Sequence, residues 1–338
     1  MGRAAEFFTP LLTSNCHVSA VISLSADRGA SERFEASWPA KVRATAAALG
    51  GGAYLLVRRT QRAVYLPVSQ WGLHLVRDTV LIGIARAVRC TVVLHLHGAQ
   101  LPARLAANRM LRTLLAGAHW MVLSEAVAAQ LVASGCRTAS VTVLRNPAPP
   151  MVSPAAEGGP SRVLRVGWLG TITRAKGFDL VCNAVGRLKR QGLDVGLRVA
   201  GLRLDVPVAE MGYVDEDLGL LDPTEVMSFW SQVDVFVLPA RWVEGLPFVL
   251  LEALQAGSVV AARPSPGSAE LLERGCVEPV EATEVSVAAF LTTCVRDLEG
   301  IRNRQQKAWK ELRTHYEPEC VERTFMRFWQ EAGLQRKP

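Results

Sequence analysis

Short apolar runs rich in Val, Ile and Leu alternate with stretches of helical periodicity along most of the chain, and this alternation constrains the fold more than any other feature. In the first half, strands are expected near Ser19–Leu24, Tyr54–Leu56, Val64–Leu66, Thr91–Leu96, Trp120–Leu123 and Val141–Leu144, with helices near Ala4–Thr13, Ala40–Ala48, Leu75–Ala87 and Glu125–Ala133. The pattern lapses over NPAPPMVSPAAEGGPS, residues 146 to 161, where Pro, Gly and Ser gather, and this stretch reads as a linker. It then restarts. Strands are expected at Leu164–Leu169, Gly196–Ala200, Val235–Leu238, Ser258–Ala262 and Val277–Val280, with helices near Phe178–Gln191, Pro223–Gln232, Pro247–Gln255 and Ser268–Glu273 and several from Val285 onward.

This is an α/β chain of two Rossmann-like domains in tandem, residues 1–150 and 162–315 joined by a linker at 151–161, with a cleft expected between them at the carboxyl ends of the strands. A last amphipathic helix from Tyr316 to Ala332, within the tail 316–338, sets Phe325, Phe328 and Trp329 on one face. No GxGxxG follows either first strand, which disfavours a dinucleotide cofactor. The opening is unusual, because a doubly wound domain begins with a central strand and this chain enters helix directly from Met1-Gly2. The expectation is that this Met lies inside the first loop, with an apolar strand and a glycine-rich turn upstream. A different topology is the alternative, and an early in-frame stop codon upstream would decide for it.

Hydrophobic residues make up 49% and charged residues 20% of 338, a folded rather than a disordered profile. The seven cysteines are scattered, with no CxxC pair and no histidines at metal spacing, and read as reduced thiols of a cytoplasmic protein. MGRAAEFF has no basic segment followed by an apolar run, so it does not read as a signal peptide, and Glu6 spoils a myristoylation pattern. The most apolar window, Val80 to Leu96, is too short to span a bilayer and is broken by Arg86, Arg89 and His95. Charge is unevenly shared: residues 1–150 hold 16 Lys and Arg against 6 Asp and Glu, a net +10, and the remainder holds 22 against 25, a net −3. The basic half suggests an anionic partner, such as a phospholipid surface or a lipid-diphosphate acceptor; a solvated basic surface is the plain alternative.

The most informative segment is DVFVLPARWVEGLPFVLLEALQAGSVVAA, residues 234 to 262. A strand runs to Pro239, a loop carries Glu244-Gly245, and Pro247 stands where a helix's first turn tolerates it, so the free amides of the helix start can hold an anion such as a diphosphate. Glu252 lies on an otherwise apolar helix, and a buried carboxylate needs donors, a role sugar hydroxyls can fill. The plain alternative is a core helix with one surface glutamate.

Two glutamates in EGLPFVLLEALQAG, Glu244 and Glu252, resemble the signature of the retaining glycosyltransferase family 4, which has the GT-B fold. RVGWLGTITRAKGFDLVCNAVGRL resembles that family's glycine-rich strand, loop and helix, with Lys176-Gly177 at its Lys-Gly pair, and NPAPP resembles its entry to the linker. The resemblance implies that Lys176, with Gly170, Thr171, Arg174 and the segment Gly245, Leu246, Pro247 and Phe248, binds the donor diphosphate. It implies ribose binding by Glu252, a place beside the transferred sugar for Glu244, and base binding by the backbone around Tyr213 and Val214. In VVLHLHG, His97 resembles the family's cleft histidine, which contacts the sugar or assists proton transfer, while His95 is expected to point into the sheet's packing.

Departures are visible too. Thr171 stands where the family commonly has an arginine, a loss worth about 1.5–3 kcal/mol of phosphate binding, and RPSPGSAELL keeps only Gly267 and Glu270 of a second motif. Asp215-Glu216-Asp217 invites a metal reading but sits in an expected polar turn, and this fold works without one, so no metal and no cofactor are expected beyond a UDP- or GDP-linked sugar as co-substrate. The function implied is retaining hexosyl transfer to a growing polysaccharide or its lipid-linked precursor at the cytoplasmic face of a membrane, with nucleic acid not among the partners. A sugar-nucleotide-binding or scaffold protein without catalysis gains weight from the absent first strand and from Thr171.

Overall fold

Most of the strands form where β-branched and aliphatic residues predominate, because a strand covered on both faces has no use for alternation. The computed structural model describes residues 2–15, 43, 46–47, 49–54, 63–150 and 163–334. In chain order the elements are α1 (Gly2–Asn15), β1 (Ala63–Pro67), α2 (Gly72–Ala87), β2 (Thr91–Leu96), α3 (Leu101–Ala107), α4 (Arg109–Leu115), β3 (His119–Val122), α5 (Glu125–Ala133), β4 (Ser140–Val143), β5 (Leu164–Leu169), α6 (Phe178–Arg190), β6 (Val195–Ala200), β7 (Glu216–Asp217), α7 (Val226–Trp230), β8 (Val235–Leu238), α8 (Phe248–Gln255), β9 (Val259–Ala262), α9 (Ala269–Glu273), β10 (Glu278–Pro279), α10 (Glu284–Leu312) and α11 (Pro318–Glu331). They fall into two units, one of Met1–Asn146 with Glu319–Pro338, the other of Pro147–Pro318.

In the first unit, β1 to β4 form a parallel sheet in sequence order. Asn108 and Ser124 cap α4 and α5 by accepting the Leu111 and Val127 amides at 3.0 and 3.2 Å. A buried ion pair sits on α2: Arg77 Nε donates to Asp78 Oδ1 at 2.8 Å, and Asp78 Oδ2 accepts the Ser69 amide at 2.8 Å, pinning the loop that leaves β1. Phe325, Phe328 and Trp329 of α11 are buried, with Phe325 packed 5.3 Å from Phe8 of α1 and 6.4 Å from Tyr65 of β1. Two expectations are corrected here. Tyr54, expected to begin a strand, is helical, and α3 and α4 occupy a stretch for which no element is expected. The expected strand Ser19–Leu24, most of the helix Ala40–Ala48 and the linker 151–161 lie outside the described residues.

The second unit holds a six-stranded parallel sheet in the order β10-β9-β8-β5-β6-β7. Asp234, just before β8, staples its amino ends: it accepts Arg165 Nε and Nη2 at 2.9 and 2.8 Å, the Arg165 amide at 3.0 Å and Arg302 Nη2 of α10 at 3.2 Å. Burial works to raise its carboxyl pKa, but these hydrogen bonds and charges outweigh it and hold the group below the ordinary value. β10 is too short to pair all of β9, and the buried Gln305 of α10 fills the gap. Its Oε1 accepts the Val260 amide and its Nε2 donates to the Val260 carbonyl, both at 2.8 Å, sparing an orphaned pair that would cost about 1–3 kcal/mol for each group.

The helices expected from Val285 onward are present within α10 as two segments that meet at a kink at Asp297 (φ −145°, ψ 54°), whose Oδ1 accepts the Gly300 amide at 3.0 Å and so starts the second segment. The polar turn expected at Asp215–Asp217 gives way to a short strand over its last two residues. Glu216 and Asp217 form β7, pairing with Arg198 and Val199 of β6. Each acid there has a base: Asp215 lies 2.6 Å from Lys189, Glu216 3.2 Å from Arg198, and Asp217 3.0 Å from Arg203.

Candidate functional site

The strand order decides where a ligand can sit in the second unit. From β5 the chain winds outward through β6 and β7, then returns to lay β8, β9 and β10 on the other side of β5. The loops leaving β5 and β8 therefore diverge, and a crevice opens outside their carboxyl ends. Lys176 is on the first of these loops and Glu244 on the second. The loops are tied together, since the Arg241 amide donates to Ala175 O at 2.8 Å. On the β6 side, Gly201 has φ +143° and comes so near the β5 loop that a Cβ would lie 1.8 Å from Gly170 O.

Among the four cations around these loops, two are already neutralised. Arg174 pairs with Glu210, and Arg241 grips Asp179 through Nη1 at 2.7 Å and Nη2 at 2.8 Å. Lys176 and Arg263 have no carboxylate within ion-pair distance among the described residues. The Lys176 amide donates to Thr173 Oγ1 at 3.1 Å, which shapes the turn and leaves the half-buried ammonium uncommitted. α8 begins at Phe248, with Pro247 one residue before the helix and no side chain capping it, so its first amides are available to an anion. Glu252 is 2% exposed and accepts Trp230 Nε1 at 3.2 Å, which removes the surface-glutamate alternative. Glu244 is half-buried and accepts Trp242 Nε1 at 2.5 Å. Leu238, Trp242, Glu244, Pro247, Arg263 and Ser265 are among the residues lining one small pocket beyond β8 and β9.

Residues 163–298 match the family model Glycosyl transferases group 1. A protein of Klebsiella pneumoniae, described as an uncharacterized 42.6 kDa protein in the cps region, is 32% identical over 109 residues, 32% of this chain and 28% of that protein. A protein of Escherichia coli (strain K12), named as the colanic acid biosynthesis glycosyltransferase WcaL, is 27% identical over 164 residues, 45% of this chain and 40% of its own. The matched stretch thus spans less than half of either relative. The crystal structure of Anabaena Alr3699/HepE in complex with UDP and glucose superposes with a TM-score of 0.64 at 16% identity, over 84% of this chain and 81% of that one. The fold is GT-B.

Within the matched residues 163–298, Gly170, Thr171 and Lys176 lie on the loop after β5 and the segment Glu244 to Phe248 runs from the loop after β8 into α8, which carries Glu252; the two loops are joined at Ala175 and Arg241. Arg174 is nearby but committed to Glu210. Tyr213 and Val214 are not at this end of the sheet. They precede β7, where Lys189 Nζ donates to Tyr213 O at 3.3 Å and Arg190 stacks 5.2 Å over the Tyr213 ring, at the far end of α6. What leaves the carboxyl end of β7 is Leu218 to Leu221, and Gly219 O accepts the Gly201 amide at 2.6 Å. Glu270 is engaged elsewhere, accepting Tyr316 Oη at 2.9 Å. Arg263, directly after the apolar strand β9, lines the pocket beside Glu244 and was not among the expected site residues.

In the first unit, His97 is half-buried just past β2, its ring stacked 3.9 Å from that of His95. His95 is fully buried, with Tyr65 Oη 2.5 Å from its Nδ1 and the Phe8 ring at 5.0 Å. Burial pushes the His97 imidazole down to about 4. Burial also holds His95 well below its ordinary value, with repulsion from His97 adding to it. Both rings are therefore neutral at pH 7, and His97 can donate or accept a hydrogen bond there without carrying charge.

The unfolded chain takes up these protons near pH 6.5 and the folded chain does not, so the stabilisation is complete above that value and is lost as pH falls toward 4. From pH 7 to 5, His97 alone contributes up to about 2 kcal/mol of that loss. Urea denaturation at the two pH values checks it: His97→Gln is expected to flatten the pH response of the wild type, and an equal drop in both proteins excludes His97 as its source.

Proposed function

We propose that the chain is a retaining glycosyltransferase that moves a hexose from a UDP- or GDP-linked donor to a hydroxyl acceptor. The observation that carries this reading is the pair of cations, Lys176 above all, that have no carboxylate partner among the described residues, beside uncapped helix amides and two glutamates at the topological switch point. As the bond from the anomeric carbon to the diphosphate breaks, negative charge grows on the leaving phosphate, and a fixed ammonium and backbone N–H groups stabilise that charge more than they stabilise bound donor. Lys176 and the amides of Gly245, Leu246 and Phe248 take this role. Glu252 accepts the ribose hydroxyls, Glu244 attends the transferred sugar, and neutral His97 contacts the sugar or passes the acceptor's proton. For the base we favour the backbone of Leu218 to Leu221 over Tyr213 and Val214, since it leaves the carboxyl end of β7.

The names of the two curated relatives, one from a cps region and one of colanic acid biosynthesis, support a polysaccharide or lipid-linked acceptor. The net +10 of residues 1–150 supports contact with an anionic membrane on its cytoplasmic side. Among the described residues no helix is long and apolar enough to cross a membrane. Incubation with radiolabelled UDP- and GDP-sugars and membrane extract tests the reading: transfer by the wild type and its loss in Glu244→Ala support it, and no transfer to any fraction overturns it. Thr171 favours a second reading, a nucleotide-binding protein without catalysis. Calorimetric binding of nucleotide with neither transfer nor donor hydrolysis would decide for that one.

A further inference from the structure

We propose that Arg263 is the second cation of the diphosphate site, supplying the charge absent at Thr171. The proposal rests on the donor-site reading above. Arg263 is the first residue after β9, and its amide still follows the ladder, donating to Leu238 O at 3.0 Å. Since β9 lies next to β8, the side chain leaves the sheet beside the loop that carries Glu244. Its guanidinium reaches under that loop, where Nη1 donates to Ala240 O at 3.2 Å and Arg241 O at 3.0 Å. Carbonyl oxygens orient the group without cancelling its charge. Nε and Nη2 make no hydrogen bond among the described residues, which leaves one edge of a rigid planar fork for a phosphate.

The neighbouring cations show what a purely structural arginine looks like in this region: Arg174 and Arg241 end on the carboxylates of Glu210 and Asp179. Arg263 does not. Glu244 lines the same pocket but is beyond ion-pair distance and bonded to Trp242 instead. A half-buried guanidinium that is positioned, un-neutralised and beside a free helix start is set for an anion from solution.

Calorimetry on the full chain tests this with UDP and GDP against uridine and guanosine, using wild type, Arg263→Gln and Arg263→Lys. For whichever diphosphate the wild type binds, Arg263→Gln is expected to weaken binding about tenfold to a hundredfold while changing affinity for the matching nucleoside less than about twofold. Arg263→Lys keeps the charge without the fork and is expected to weaken only the diphosphate, by about threefold to tenfold, so it serves if the glutamine variant does not fold. Unchanged diphosphate binding in a folded variant overturns the proposal, as does equal weakening of nucleoside and diphosphate, which marks a loop prop. A wild type that binds none of these ligands instead sinks the donor-site reading itself, and this inference with it.

Discussion

Lys176→Ala is expected to lower kcat/KM for sugar transfer by roughly 10²–10³-fold, most of it in kcat, while the urea midpoint stays close to that of the wild type. The two halves of this expectation have one cause. The Lys176 ammonium has no carboxylate partner among the described residues, so the folded state does not depend on it. Its backbone amide, which shapes the turn through Thr173 Oγ1, survives the substitution. What is lost is a charge that gains most when the diphosphate is leaving, and a term that favours the transition state over bound donor appears in kcat. Lys176→Arg should recover part of the rate. Kinetics at saturating donor decide the matter, and a kcat within about threefold of wild type would remove Lys176 from the diphosphate site.

Gly201→Ala is expected to cost roughly 3–5 kcal/mol of stability, with Gly192→Ala costing only about 1 kcal/mol. Both glycines have positive φ, +143° and +77°, so both substitutions pay for an unfavourable backbone conformation. They differ in surroundings. A Cβ on Gly192 meets nothing within 4 Å, whereas on Gly201 it would lie 1.8 Å from the carbonyl oxygen of Gly170. That oxygen belongs to backbone whose amide is bonded to Ala200 O at 2.9 Å, so no side-chain rotation relieves the clash. The loops after β5 and β6 would have to part, and nucleotide binding should weaken alongside stability. Equal destabilisation of the two variants, read from urea midpoints, would show that the close approach is not what holds these loops.

Much of the architecture was legible because strands covered on both faces write themselves as predominantly apolar runs. TVVLHL, LRVGWL and VFVL became β2, β5 and β8 with the expected bounds. β7 was illegible for the converse reason. Glu216 and Asp217 have no apolar signature and pair because β6 offers them a free edge, with Arg198 and Arg203 balancing their charge. That one missed strand is also what separates the two candidate base contacts, since Tyr213 and Val214 precede it and the proposed Leu218 to Leu221 follow it. α3 and α4 escaped notice because each is seven residues long and too short for periodicity to declare itself.

By itself the sequence determined that the chain is α/β with two sheet-forming halves, and that EGLPFVLLEALQAG would present acids and helix amides together, since both follow from local spacing along one strand, loop and helix. Only the tertiary structure decided which charges remain available. Arg174 and Arg241 are cancelled by Glu210 and Asp179, residues 36 and 62 positions distant in the chain, while Lys176 and Arg263 have no such partner among the described residues. Pairing of that kind depends on strand order, which brings loops from β5, β8 and β9 to one end of the sheet, and no local pattern encodes it.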